Sequence, residues 1–316
     1  MIFKDNPDHR VLCAGLTVCD ILVKPVTPEF FGRDSAPVEH IGLAGGGDAF
    51  NVASNLAAMG VPASLATRVG DDELGEWLAG KARARGVRDA ITVSRGTRTS
   101  ASVVAIRPDG ERTFLLHRGA CHAFAQEDVT DALLDRHDVF FLGSAFDLPG
   151  IDNTPAALAT LFERAQKRGM LTVLDVTTDL TPAHMAELEP ALPWVSLFLP
   201  SRGEALGLTG KKDPAEAASV FRKMGCETVG VKLGAEGCLV LSDGVFIRVP
   251  AYPARVVDTT GAGDAFVAGF IAGLLRGLPP VDCARLGNAA GSVAVSVIGA
   301  NGALESFAQL EKIISK

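Results

Sequence analysis

Short apolar segments alternate with longer segments of helical periodicity along most of the chain. Residues 139–142 are a continuous apolar run, and residues 11–15 and 171–175 are short, mostly apolar segments; all three have the length expected of buried strands. Residues 49–59 and 156–167 place apolar side chains at helical spacing, and a glycine follows each segment within two residues. The alternation predicts an α/β fold with a mostly parallel sheet. The same criteria predict strands at residues 64–69, 195–199, 228–233 and 238–241 and helices at residues 215–223 and 264–275.

Two segments interrupt this alternation. Residues 100–107 and 112–117 are strand-like runs that predict a hairpin, whereas the segment at about 17–44 lacks helical periodicity and contains three prolines. We expect this segment and the one at about 98–120 to pair as a small β-layer, inserted in a single domain of residues 1–316. The β-layer is either a lid over a substrate cleft or an edge extension of the main sheet.

The composition is that of an ordinary globular protein, and it argues against some partners. Apolar residues make up 47% of the chain and charged residues 21%, with a formal net charge of −7. Because no basic run is present to neutralise a phosphate backbone, we expect no nucleic-acid partner. The six cysteines form no CxxC pair and no zinc spacing with histidine, which favours free thiols in a reducing compartment.

No segment predicts secretion or insertion into a membrane. Residues 1–10 are polar and charged and lack the apolar region of a secretory signal. The longest strongly apolar segment, residues 266–275, is much shorter than the roughly 20 residues that a membrane span needs. We therefore expect a cytoplasmic protein with no membrane partner.

The segment at residues 258–266, Asp-Thr-Thr-Gly-Ala-Gly-Asp-Ala-Phe, places a turn of small residues before an apolar helix. Free amides at a helix N-terminus bind anions, and the residues Gly261, Ala262 and Gly263 let a phosphate approach the backbone closely. Asp264 would repel a phosphate, so it suits a site where the amides hold a transferring phosphoryl group and the carboxylate accepts a hydroxyl proton. We expect the helix N-terminus to keep Asp264 ionised.

Two simpler interpretations of this segment stay open at the level of the residues. Its Gly-x-Gly start is similar to a dinucleotide-binding loop, although Phe266 occupies the position of the third glycine and the segment lies late in the chain. Alternatively, Asp264 is only the N-cap of its helix.

Residues 258–266 resemble the C-terminal signature of the ribokinase/PfkB family of carbohydrate kinases. Residues 45–53, Gly-Gly-Gly-Asp-Ala-Phe-Asn-Val-Ala, are similar to the N-terminal motif of the same family. The resemblance covers essentially the whole chain and implies a ribokinase-like three-layer α/β/α core with a small β-lid. It also implies Asp264 as the catalytic base, the turn before it as the anion hole, ATP and Mg²⁺ as cofactors, and a monovalent cation such as K⁺.

The resemblance implies further site residues, each at a position that matches a family motif. The positions that match the sugar site are Asp20, Gly46, Gly47, Asp48 and Asn51. Those that match the nucleotide site are Lys232, Gly234, Gly237, Asn288 and Ser201, the last in place of the asparagine that the family often has. Glu204 matches the residue that orders the hydration shell of Mg²⁺. Asp258 aligns with the monovalent-cation site, together with the backbone carbonyls of Thr260, Ala294, Val297 and Gly299.

Two further candidates come from their place in the predicted elements. Asp175 ends a predicted strand, at the sheet edge where α/β folds place ligands, which makes it a candidate on the metal side. Arg118 follows the second strand of the predicted hairpin. From there it either reaches a carboxylate, phosphate or hydroxyl of the substrate or is simply solvated.

These residues predict a kinase that moves the γ-phosphate of ATP to a hydroxyl of a small sugar or sugar acid. No dense Lys/Arg cluster marks a second phosphate site, which argues against a sugar phosphate as acceptor. A nucleoside kinase shares the same signatures, and a non-catalytic sugar or nucleotide sensor on the same fold is the alternative from a different class. The resemblance also implies a homodimer formed through the lid.

Overall fold

The computed structural model describes residues 9–109, 111–154, 156–177 and 179–315, so nearly all of the polar segment predicted at the N-terminus lies outside the described residues. The strands are β1 Val11–Ala14, β2 Val18–Lys24, β3 His40–Gly46, β4 Ala63–Gly70, β5 Arg88–Ser94, β6 Ala101–Ile106, β7 Arg112–His117, β8 Val139–Ala145, β9 Leu171–Val176, β10 Leu197–Phe198, β11 Thr228–Lys232, β12 Cys238–Ser242 and β13 Val245–Val249. The α-helices are α1 Asp48–Ala58, α2 Glu73–Ala84, α3 Asp131–Leu134, α4 Pro149–Asp152, α5 Ala157–Gln166, α6 Met185–Leu188, α7 Arg202–Thr209, α8 Pro214–Lys223, α9 Ala262–Leu274, α10 Pro280–Ala294 and α11 Phe307–Ile314.

The central sheet has nine strands in the order β13-β12-β11-β10-β9-β8-β1-β4-β5. The strands from β11 to β5 pair in parallel, and β12 and β13 extend one edge with antiparallel pairing. The prediction of an α/β fold with a mostly parallel sheet is therefore confirmed.

Apolar side chains on the two faces of the central sheet belong to two separate cores. In β1, Val11 and Cys13 pack in a core with α1, α9 and α10, whereas Leu12 and Ala14 pack in a second core with α5, α7 and α8. Successive side chains of a strand point to opposite faces, so a strand buried on both faces is apolar along most of its length. Helices therefore cover both faces of the sheet, as the predicted three-layer α/β/α core requires.

A second sheet of four strands, in the order β3-β2-β6-β7, is formed by the two segments that interrupt the α/β alternation. On one of its faces, a row of cross-strand neighbours places Asp20 beside Ser102. The next row, on the opposite face, consists of Leu43, Ile21, Val103 and Leu115. The small sheet thus has one face that carries a buried carboxylate and another that is apolar.

Two further predictions can be compared with the structure. None of the described helices combines the length and the apolar character that crossing a bilayer requires. All six cysteines are buried free thiols, as their spacing predicts.

Candidate active site

The turn before α9 leaves three backbone amides free to bind an anion. Gly261 precedes the helix with φ of 72°, and a side chain there would overlap the carbonyl oxygen of Ala300, so only glycine fits. The amide of Ala262 donates to the carbonyl of Thr259 over 3.3 Å, whereas the amides of Gly261, Gly263 and Asp264 have no acceptor among the described residues. The sequence predicts the anion site at residues 261–263, and the structure leaves two amides of that segment free together with the amide of Asp264.

Asp264 is held by an amide chain that reaches across the molecule. The side-chain nitrogen of Asn51, in α1, donates to Oδ2 of Asp264 over 2.7 Å. The side-chain nitrogen of Asn301 donates in turn to Oδ1 of Asn51 and to the carbonyl oxygen of Gly45, each over 2.7 Å. Because Asn301 occupies the oxygen of the Asn51 amide, the nitrogen of that amide must face Asp264. The prediction from sequence names Asn51 but does not include Asn301.

Four carboxylates and one lysine cluster beside the turn. Nζ of Lys232, at the end of β11, lies 2.5 Å from Oδ2 of Asp175, at the end of β9, and also lies close to Gly263. Asp48, Glu204 and Asp264 are close enough to interact with the same charges. Burial lowers the pKa of Lys232, but the carboxylates of Asp175 and Glu204 outweigh it and raise that pKa above its ordinary value. A single lysine thus faces an excess of negative charge.

The pKa of Asp264 rises to about 7, chiefly through burial and then through the neighbouring Asp48 carboxylate. The hydrogen bond from Asn51 and the charge of Lys232 act in the opposite direction but do not cancel the shift. The prediction that the helix N-terminus keeps Asp264 ionised therefore understates the effect of burial. At neutral pH the free protein holds this group partly protonated.

Glu204 and Asp175 fit the metal-side role predicted for them, judged by the donors that they provide. Burial raises the pKa of both carboxyls, and repulsion from neighbouring carboxylates adds to the shift, from Glu204 and Asp48 for Asp175 and from Asp48 for Glu204. A divalent cation, or its ordered water shell, would relieve that repulsion and displace the protons. Oxygen ligands of this kind are those that Mg²⁺ prefers.

The small sheet brings a second carboxylate region to the same side of the core. Asp20 accepts a hydrogen bond from Ser102, and burial raises the pKa of Asp20 to about 6. A side chain at Gly46 would collide with the Asp20 carboxylate, so the second glycine of the motif at residues 45–53 leaves room for it. Gly47 lies next to this pair at φ of 87° and precedes α1, which carries Asp48 and Asn51.

Arg118 lines a small pocket that is open to solvent, together with Leu16, Val18, His117, His122 and Asp147. Its guanidinium forms an ion pair with the Asp147 carboxylate, a residue that the prediction does not include. Arg118 thus faces a pocket, but its charge is compensated, so an anionic group of a ligand would compete with Asp147.

Besides Lys232, two positions predicted for the nucleotide site have partners within the protein. Ser201 and Glu204 form a capping box at the start of α7. The amide of Ser201 donates to the Glu204 carboxylate over 2.6 Å, and the amide of Glu204 donates to the Ser201 hydroxyl over 3.3 Å. The side-chain nitrogen of Asn288 donates to the carbonyls of Val249 and Pro250, each over 3.0 Å. Their contacts with a nucleotide, like those of Gly234 and Gly237 in the turn after β11, stay predictions.

The Asp258 carboxylate accepts several hydrogen bonds in the loop that precedes the turn. Its carboxylate accepts hydrogen bonds from the amide and the hydroxyl of Thr260, from the amide of Gly299, and from Nη1 of Arg112. The carboxylate at the predicted monovalent-cation site of Asp258, Thr260 and Gly299 therefore already has a positively charged partner, the Arg112 guanidinium. The other positions, Thr260, Ala294, Val297 and Gly299, were predicted to bind the cation through their backbone carbonyls, and that role stays a prediction.

Comparison with known proteins identifies several similar chains. The family model described as pfkB family carbohydrate kinase matches residues 8–306. The 2-dehydro-3-deoxygluconokinase of Thermoproteus tenax is 30% identical over 279 residues, which cover 86% of this chain and 85% of the relative. A crystal structure of adenosine kinase from Sinorhizobium meliloti superposes with a TM-score of 0.82 at 26% identity, covering 94% of this chain and 97% of that one.

A further solved structure contains ligands. The E. coli protein described as a ribokinase II, in complex with ATP and Mg²⁺, superposes with a TM-score of 0.83 at 22% identity and covers 97% of this chain and 99% of its own. At that identity the similarity concerns the fold.

Proposed function

Because this chain belongs to the PfkB family of carbohydrate kinases, we propose that it transfers the γ-phosphate of ATP to a hydroxyl of a small sugar or sugar acid, with Asp264 as the base. One observation carries the proposal. The Asp264 carboxylate is fixed by Asn51 at 2.7 Å, beside the free amides of Gly263 and of Asp264 itself. An anion site and a proton acceptor thus share one helix N-terminus, which is the combination that phosphoryl transfer to an alcohol needs.

In this mechanism the free amides hold the γ-phosphate and Asp20 orients the acceptor sugar. The acceptor oxygen forms a bond to the γ-phosphorus while the bond to the β,γ-bridging oxygen breaks and ADP leaves. Asp264 takes the proton of the acceptor hydroxyl during this transfer. Lys232 lies near Gly263 and neutralises charge on the phosphates. Closure of the small sheet excludes water and so limits hydrolysis of ATP.

Mg²⁺ would be held through water by Glu204 and Asp175. When bound, it supplies neutralisation of the phosphate charge. The excess of carboxylates over Lys232 in this cluster supports that placement.

The acceptor can be identified by measuring ADP release with MgATP and a panel of sugars, sugar acids and nucleosides. The relative from T. tenax acts on a sugar acid by its name, and the S. meliloti structure is of an adenosine kinase, so both classes belong in the panel. We expect turnover with a member of the first two classes. Turnover with nucleosides alone would show that the protein is a nucleoside kinase of the same family. Tight binding without any turnover would favour a non-catalytic sugar or nucleotide sensor.

The activity should depend on pH through Asp264. A protonated carboxyl cannot accept the hydroxyl proton, and the pKa of Asp264 in the free protein is about 7. We therefore expect kcat/KM to fall about tenfold per pH unit below about pH 6 and to level off above about pH 8. Initial rates across this range, with circular dichroism as a check on folding, measure the profile. A profile that stays flat down to about pH 5 would contradict the role of Asp264 as base.

We also propose that the apolar face of the small sheet is covered by a second copy of the chain. Leu43 and Leu115, in its central row, are 51% and 55% exposed, and Ile41 beside them is 68% exposed. Exposed apolar sheet faces of this kind mark association sites. Light scattering should give twice the 32.9 kDa of one chain. Leu43→Lys should reduce the mass to that of a monomer, whereas Val245→Lys, at an exposed valine of the central sheet, should not. A monomeric wild-type protein would overturn this proposal.

A further inference from the structure

Arg112 connects the small sheet to the loop that precedes the phosphate-binding turn. It is the first residue of β7, and its Nη1 lies 2.9 Å from Oδ1 of Asp258. Its Nη2 donates to the hydroxyl of Thr259 over 3.0 Å. The two side chains of the ion pair are only 22% and 8% exposed. The contact is thus a partly buried, charge-assisted hydrogen bond between two segments 146 residues apart in the sequence.

Asp258 in turn orders the loop from its own residue to the helix. Its Oδ1 also accepts from the amide of Thr260 at 2.9 Å and from the Thr260 hydroxyl at 2.6 Å. Its Oδ2 accepts from the amide of Gly299 at 3.0 Å. Because Gly261 directly follows Thr260, the Asp258 carboxylate that holds Thr260 also sets the position of the turn that presents the free amides.

The carboxylate of Asp258 is surrounded by hydrogen-bond donors: the amide and hydroxyl of Thr260, the amide of Gly299 and Nη1 of Arg112. Donors of this kind stabilise the charged form of a carboxylate. An ionised and nearly buried carboxylate needs a positive partner. The guanidinium supplies that charge, and a monovalent cation on the same carboxylate would lie within a few ångströms of it and be repelled.

We propose that Arg112 takes the place of the monovalent cation at Asp258, so that this protein needs no K⁺ and its turn is ordered only when the small sheet is closed. The guanidinium arrives from a strand of the small sheet, whereas a free cation would arrive from solvent. Opening of the small sheet withdraws the positive charge from Asp258 and loosens the turn. Closure of the small sheet over the acceptor therefore also orders the turn that holds the phosphoryl group. Arg112 acts here as a positioning residue.

The experiment compares the wild-type protein with Arg112→Ala and Arg112→Gln in KCl and in tetramethylammonium chloride at equal ionic strength. ADP formation and the thermal midpoint are measured in both salts. The wild-type protein should show the same kcat and the same midpoint in both. In tetramethylammonium, kcat of the two variants should fall by about 10–100-fold, the loss expected for one charge-assisted hydrogen bond. Added K⁺ or guanidinium should restore part of kcat and raise the midpoint of the variants only.

Arg107→Ala provides the matched control. Arg107 lies at the turn after β6 in the same small sheet, but it is exposed and pairs with Asp109. This variant should behave like the wild-type protein in both salts. A wild-type protein that requires K⁺, or Arg112 variants that keep the wild-type rate and midpoint in tetramethylammonium, would overturn the proposal.

The kinetic arm rests on the proposed kinase function, whereas the melting arm does not. If no acceptor supports turnover but K⁺ raises the thermal midpoint of the Arg112 variants alone, the proposed function fails and the assignment of Arg112 stands. If turnover is found and the wild-type midpoint rises in KCl, the proposed function stands and the assignment of Arg112 fails. Should Arg112→Ala fail to fold, Arg112→Gln and Arg112→Lys give the same comparison, with Arg112→Lys expected to retain the wild-type independence of K⁺.

Discussion

Asp264→Asn should lower kcat by about 10²–10⁴, the usual contribution of a positioned general base. Asparagine has the same size as aspartate and can still accept the hydrogen bond from Asn51, which Asn301 orients. Its amide oxygen, however, cannot take a proton from the acceptor hydroxyl. Binding of MgATP, measured by calorimetry, should change little, because the turn and its free amides remain. The substitution therefore separates chemistry from binding.

The same variant decides between a base and a carboxylate that only stabilises its helix. The N-cap of α9 is Gly261 and Asp264 is the third residue of the helix, so the interpretation of Asp264 as the N-cap is wrong. A carboxylate that only stabilised the first turn of the helix would still largely tolerate replacement by asparagine. Asp213, the N-cap of α8, provides the matched control, since it accepts a hydrogen bond from the amide of Ala215. Asp213→Asn should keep the wild-type rate. If Asp264→Asn also kept it, Asp264 would have to be removed from the mechanism.

Lys232→Met should destabilise the protein by about 3–5 kcal/mol, because it leaves a buried carboxylate without its positive partner. Lys232 and Asp175 are 14% and 3% exposed, so water cannot replace the ammonium group. Burial already raises the pKa of Asp175, and the variant raises it further. Since a protonated Asp175 needs no cation, the loss of stability should be smaller at lower pH. Urea unfolding at neutral and acidic pH measures both effects.

Two control variants show whether this loss comes from the unpaired charge. Lys223→Met removes an exposed lysine at the end of α8 and should leave the free energy of unfolding nearly unchanged. Adding Asp175→Asn to Lys232→Met should recover part of the lost stability, because no charged group is then left unpaired. Equal stability of Lys232→Met and the wild-type protein would show that the pair does not hold this edge of the sheet together.

Local patterns were sufficient to predict the strands that are apolar on both faces and the two glycine-containing motifs. A strand such as β8 is buried along its whole length, and its composition alone distinguishes it. The edge strands β5 and β13 were not predicted, because half-exposed residues dilute the apolar signal there. The strand predicted at residues 195–199 is reduced to Leu197–Phe198 for a similar reason, since its length depends on pairing rather than on composition.

The partners of the site residues could not be predicted, because they come from distant parts of the chain. Asn301 and Asn51 are 250 residues apart, and Arg112 and Asp258 are 146 residues apart. No spacing rule connects such pairs before the fold is known. The pKa of Asp264 has the same origin, since the helix N-terminus is visible in the sequence but the burial and the neighbouring Asp48 are not. The capping box of Ser201 and Glu204 is different, because its Ser-x-x-Glu pattern is local and recognisable.

The most direct test of the account is a crystal structure of the protein with Mg²⁺ and a non-hydrolysable ATP analogue. The account predicts γ-phosphate oxygens about 2.7–3.2 Å from the amides of Gly263 and Asp264, with the Asp264 carboxylate facing the open side of the phosphorus. A γ-phosphate held elsewhere, with Asp264 directed away from it, would contradict the account.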